Sequence, residues 1–139
     1  MSTLSAFFAQ NAEVEVTEKL VVSNRFKDEK GEGIEWEIRS MTEQENEQCR
    51  KAATKQIKNK GVVTQDIDFN AYTAKLITSS VVYPDLKNAE LQQSYGVMGA
   101  EDLLKKMLLP GEYTTLLQAV QGLNGFDKSE QDLVEEVKN

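Results

Sequence analysis

Between Tyr95 and Phe126 the chain reads YGVMGAEDLLKKMLLPGEYTTLLQAVQGLNGF. This stretch holds five of the eight glycines, one of the two prolines and a dense run of leucines. Leu103, Leu104, Met107 and Leu108 recur at helical spacing behind Gly99, which can open a helix. Pro110 suits the first position of a second helix, where its missing N–H would have had no partner anyway. That helix would bury Tyr113, Leu116, Leu117, Val120 and Leu123, and Asn124-Gly125 would stop it. Two short amphipathic helices turning at a Leu-Pro-Gly-Glu-Tyr corner need other elements to cover their apolar faces.

Upstream, the pattern changes to period 2. Glu13-Val14-Glu15-Val16 alternates, Leu20-Val21-Val22 and Phe26 lie on a β-rich run, and Ile34, Trp36 and Ile38 share one face of Ile34–Arg39. The charged, glycine-punctuated segment Lys27–Gly33 separates the runs, so residues 13–39 are expected to form an antiparallel hairpin with one covered face.

Thr42-Glu43-Gln44-Glu45 then matches a capping box, in which a hydroxyl and a carboxylate satisfy two orphan amides. It predicts a helix over 43–59 with a thin apolar face of Cys49, Ala52, Ala53 and Ile57. Lys55, Lys58 and Lys60 would complement the dipole at its end, and Gly61 would stop it. Residues 61–68 read as a connector. Asp68 can cap a helix running from Phe69 to about Val82, with Phe69, Tyr72, Leu76 and Ile77 as its stripe, and Pro84 closes it. A short helical turn follows over 88–95, entered through Asp85 or Asn88. Ser129-Glu130-Gln131-Asp132 can cap a last amphipathic segment with Leu133, Val134 and Val137.

The expected architecture is therefore α+β. A single domain over 13–128 has its hairpin or small sheet in 13–39 and a bundle of short helices in 42–126. An N-terminal arm of residues 1–12 and an acidic tail of residues 129–139 flank it. In the arm, Leu4, Phe7 and Phe8 make one apolar face. That face folds back over the protein's own core, docks on a partner, or belongs to a disordered arm.

The chemistry excluded is broad. There is no histidine, which removes Ser-His-Asp and Cys-His systems and most zinc sites. The net charge of -7 argues against binding nucleic acid or an anionic membrane surface. No apolar run is long enough to cross a bilayer, and the N-terminus lacks the layout of a secretory signal. The single cysteine, Cys49, cannot form an internal disulfide and reads as a small buried residue. Asp66-Ile67-Asp68 resembles a metal-binding pair, but a loop acid followed by a helix cap explains it better. Gly31-Glu32-Gly33 lacks the third glycine and the following helix of a dinucleotide loop. Lys51, Lys55, Lys58 and Lys60 read as a solvated helix end. No catalytic, cofactor-binding or metal-ligating residue is assigned. Tyr113 reads first as a core residue and second as an interface anchor.

Specific strings carry a resemblance. They are Pro84-Asp85-Leu86-Lys87-Asn88, Leu91–Val97 (LQQSYGV), Ala100-Glu101-Asp102-Leu103-Leu104, Leu109-Pro110-Gly111-Glu112-Tyr113 and Leu123-Asn124-Gly125-Phe126, with Leu4-Ser5-Ala6-Phe7-Phe8 at the start. With these, nearly the whole chain resembles the XkdN-like tail assembly chaperones of contractile-tailed phages and PBSX-type prophages. The resemblance implies a non-enzymatic protein of the bacterial host cytoplasm, needing no cofactor. It would bind the tape measure protein, keep it soluble and assist tail tube assembly. The candidate partner-binding residues are Leu4, Phe7, Phe8, Leu109 and Tyr113. The alternative is a structural minor tail or connector component of the virion. Homo-oligomerisation is left open by the residues.

Overall fold

The computed structural model describes residues 3–127. A three-stranded antiparallel sheet and five α-helices make the body, and a separate two-stranded hairpin leaves it. The expected tail segment beginning at Ser129 lies outside the described residues.

The sheet has β2 (Trp36–Arg39) at its centre, with β1 (Thr17–Leu20) on one side and β5 (Val81–Tyr83) on the other. Leu20 pairs with Trp36 and Thr17 with Arg39, while Ile38 pairs with Val81. The expected hairpin is present, with a bridge between Lys27 and Gly33 across its loop, but its first strand begins later than the alternation suggested. Val14 and Val16 are exposed, so Glu13–Val16 has no covered face to bury. Its last residue is tied in only where Val16 N–H donates to Ser40 Oγ at 2.8 Å and Ser40 N–H donates to Val16 O at 2.7 Å.

The expected helix over 43–59 is shorter than its pattern implied. The capping box forms, with Thr42 Oγ1 accepting from Glu45 N–H and Glu45 Oε1 accepting from Thr42 N–H. Helix α1 (Glu43–Ala52), however, stops at Ala53, and the Thr54 hydroxyl donates to Arg50 O at 2.8 Å. The chain then forms β3 (Thr54–Asn59) and β4 (Val62–Ile67), an antiparallel pair in which Ile57 faces Thr64 and Lys58 faces Val63. Lys60 and Gly61, both at positive φ, make the two-residue turn. Gly61 is therefore a hairpin turn residue and not a helix stop, and 62–67 is a strand and not a connector. The helical spacing of Cys49, Ala52, Ala53 and Ile57 misled because only Cys49 and Ala53 are buried. Ile57 stands exposed on the hairpin, where Lys55 and Lys58 lie on β3 and Lys60 in the turn, none of them at a helix end.

Helix α2 (Phe69–Ser80) starts where expected, with Asp68 Oδ1 accepting from Ala71 N–H at 3.2 Å. It ends two residues early. Val81-Val82-Tyr83 forms β5 because β2 offers a free edge and the β-branched pair before Pro84 favours extended backbone. Ala74, Leu76 and Ile77 are buried, and α2 packs against α1 and the C-terminal helices. Phe69 does not join that stripe. It lies in the first turn, 71% exposed, with nothing covering it.

Asn88 Oδ1 caps α3 (Ala89–Ser94), accepting from Leu91 N–H at 2.9 Å. Gly99 precedes α4 (Ala100–Met107), and Pro110 opens α5 (Pro110–Leu123), as the pattern required. The core joins Trp36 and Ile38 of β2 to Ile77, Leu103, Leu104, Met107, Leu108, Leu116 and Val120. Tyr113, Leu117 and Leu123 pack at its margin. Gly125, at φ 80°, ends α5, and Asn124 does more than stop the helix. Its Oδ1 accepts from Met41 N–H at 2.7 Å, tying the end of α5 to the start of α1.

Candidate partner-binding surface

The N-terminal arm does not lie over the core. Leu4–Phe7 is one tight helical turn, closed by Phe8 N–H donating to Ser5 O and by Asn11 Nδ2 donating to Ser5 O at 2.8 Å. Leu4 is 69% and Phe7 77% exposed, and Phe8 is exposed as well. Residues 1–12 carry no charged side chain. The arm is thus a small self-bonded knob presenting one leucine and two phenylalanines to solvent.

The other two candidate residues sit at the α4–α5 corner. Leu109 is exposed, while Tyr113 is half-buried against the core. Tyr113 lines a shallow groove of about 460 Å³ with Leu108, Pro110 and Lys105, closed on the far side by Asn70 and Thr73 of α2. None of the described arm residues lines this groove. The structure therefore brings Leu109 and Tyr113 together at one corner and leaves Leu4, Phe7 and Phe8 as a separate surface.

A side-chain clamp ties the corner to the β1–β2 connection. Glu112 accepts from Leu109 N–H at 2.8 Å, the carboxylate half of a capping box. It also accepts from Arg25 Nε at 3.3 Å, while Arg25 Nη2 donates both to Glu112 and to Met107 O, the latter at 2.8 Å. Arg25, on the β1–β2 connection, was not singled out in the sequence. Its partner is 87 positions away, and no local pattern signals such a pair.

A concavity of about 910 Å³ lies between the sheet and helices α1, α2 and α4. Four of its charged groups are held in close ion pairs. Arg39 Nη2 lies 2.7 Å from Glu45 Oε2, and Lys75 Nζ lies 2.8 Å from Glu101 Oε1. The Arg39 guanidinium, helped by Thr42 N–H, holds the Glu45 carboxyl down at about 2. A carboxylate that acidic is a poor general base near neutrality. Cys49 is buried on this wall with its Sγ 3.5 Å from Ser79 Oγ. Asp68 caps α2 and pairs with Lys55 at 2.8 Å, and Asp66 accepts from Ile67 N–H, so the two acids do not converge on one point. Among the described residues no three His, Cys, Asp or Glu side chains group in a way that could hold a metal ion. No helix among them is long and apolar enough to cross a membrane.

Glu45 and Glu112 also make stability depend on pH. Arg25 holds Glu112 at about 2 much as Arg39 holds Glu45. Both are depressed from the ordinary 4.5, so their contribution is complete above that value and fades as pH falls toward 2. The melting temperature should drop between about pH 5 and about pH 2, and a Glu45→Gln/Glu112→Gln double variant should show a shallower drop. Equal slopes for the two proteins would show that these carboxylates are not the source.

The described residues form a small α+β body with exposed apolar side chains at the arm and at the α4–α5 corner. The chain belongs to the phage XkdN-like tail assembly chaperone protein (TAC) family, which it matches over residues 4–138. It is 31% identical over 138 residues to the phage-like element PBSX protein XkdN of Bacillus subtilis (strain 168), covering 96% of this chain and 93% of XkdN. It is 29% identical to the B. subtilis protein YqbN, covering 96% of this chain and 92% of YqbN. A crystal structure of the protein YqbN shares the fold, with a TM-score of 0.78 at 23% identity, over 91% of this chain and 99% of that one. The family is one of phage tail assembly chaperones and not of enzymes.

Proposed function

We propose that this chaperone binds the tape measure protein in the host cytoplasm, keeps it soluble before assembly, and assists addition of tail tube subunits. The observation that carries the reading is the uncharged arm, whose Leu4, Phe7 and Phe8 stand exposed on a chain of net charge -7. An unassembled, elongated client exposes apolar seams. An apolar knob can cover such seams, while the acidic body keeps the complex in solution. Leu109 and Tyr113 supply a second contact at the α4–α5 corner.

Co-expression with the tape measure protein tests this directly. Deleting residues 1–12 should cut the amount of tape measure protein that co-purifies, while the melting temperature stays close to that of the full chain, because the described arm residues bury nothing in the core. Undiminished co-purification would remove the arm from the binding surface.

A further inference from the structure

The β3–β4 hairpin plays no part in the reading above. It projects from the α1–α2 junction with both faces wet. Its base is held by Asp68 N–H donating to Ala53 O at 2.9 Å and by the Lys55–Asp68 pair. Ile57, Val62 and Val63 are all exposed on it. A two-stranded ribbon with no covered face is marginal by itself, and its unpaired backbone groups are a template for a further strand.

The strand edges of this protein are not equally open. The outer edge of β1 carries Glu18 and Lys19. The outer edge belonging to β5 is three residues long and runs into Pro84. The β3 edge carries Lys55 and Lys58. Charge, shortness and proline are the devices that keep edges from pairing. Along β4, Val62-Val63-Thr64-Gln65 has none of them: four uncharged residues, three of them β-branched, with the one acid, Asp66, toward the base.

We propose that β4 pairs antiparallel with β4 of a second copy of this chain, forming a four-stranded sheet across a two-fold axis. The charge pattern selects this occupant. Pairing β4 with itself joins two neutral edges and keeps both lysine-bearing β3 strands on the outside, where they stop further addition. Pairing through β3 would set lysines against each other, and a β3-to-β4 contact would not close. The hairpin also carries three lysines against one aspartate on an otherwise acidic chain. At six residues it is roughly 20 Å long. The acidic bodies would thus stand apart by more than the screening distance of about 8 Å at physiological salt. One strand edge covers far less than the roughly 1,000 Å² of a stable interface, so the dimer is weak and concentration-dependent.

Sedimentation velocity of the full chain, from about ten micromolar to about one millimolar, reads this out. The wild type should shift from monomer toward dimer over that range, and no further. With Val63 facing its own copy across the two-fold axis, and Lys60 facing Asp66 beyond it, Val63→Lys sets like charges opposite each other and should weaken the dimer at least about tenfold. Val63→Thr, neutral and still β-branched, should retain it. A wild type that stays monomeric throughout would overturn the proposal, as would a dimer unaffected by Val63→Lys. Loss of the dimer to the same extent in both variants would also overturn it. If the wild type alone is monomeric and Val63→Lys instead releases a bound tail protein, the edge belongs to a client strand and the second copy is excluded.

Discussion

Trp36→Ala is expected to lower the unfolding free energy by about 3–5 kcal/mol, the usual cost of emptying a large aromatic site in a core. Trp36 is 2% exposed, sits on the central strand of the sheet and meets Phe26 with ring centres 6.5 Å apart. It belongs to the cluster that joins β2 to α4 and α5, so its loss opens the contact between sheet and helices. Domains of this size are typically stable by about 5–15 kcal/mol, so the variant should melt some 10–20 °C lower, and a marginal wild type would leave it largely unfolded at room temperature. Trp36→Phe, which keeps an aromatic ring in the site, should lose considerably less. A Trp36→Ala loss below about 1 kcal/mol in chemical denaturation would mean that the sheet does not depend on this side chain.

Gly99→Ala is the second large effect, and its cause is backbone alone. Gly99 stands at φ 102°, ψ 148°, a region populated almost solely by glycine. A Cβ there would meet nothing within 4 Å, so crowding is not the issue. The conformation turns the chain into α4, with Gly99 N–H donating to Gln92 Oε1 at 3.0 Å and Gly99 O accepting from Leu103 N–H at 3.1 Å. Forcing an L side chain into it should cost about 1–3 kcal/mol. Gly111→Ala gives the contrast. Gly111 is helical with open space around it, and alanine there should be neutral or stabilise by up to about 1 kcal/mol. Equal effects at the two positions would contradict the backbone argument.

The candidate surfaces were partly legible. Leu4, Phe7 and Phe8 declared one apolar face by spacing, but spacing cannot say whether a short face folds inward or outward. The exposure of Leu4 and Phe7 favours the outward choice. Tyr113 packs at the core margin, in keeping with the first of the roles its sequence context allowed, and one side of it lines a groove. The hairpin was missed although it had a signal. Lys60-Gly61 between Lys58 and the Val62-Val63-Thr64 run fits a tight turn, but the lysines and the helical spacing of Cys49 and Ile57 argued for one long helix.

Local chemistry, read from the sequence, determined where most helices begin. Thr42 with Glu45, Asp68, Asn88 and Pro110 each satisfy or remove the orphan amides of a first turn, and each acts within a few residues of itself. It also determined the apolar faces of α4 and α5 and the covered face of β2, since period and burial agree there. Tertiary structure alone decided what depends on partners distant in the chain. It set the end of α2, where β2 recruits Val81–Tyr83 as a third strand, and the Arg25–Glu112 clamp on the corner. The ribbon of residues 54–67 is different, since β3 pairs only with the neighbouring β4 across the Lys60-Gly61 turn. At the end of α2 the β-branched pair suits a strand as well as a helix, and the edge of β2, distant in sequence, tips the balance.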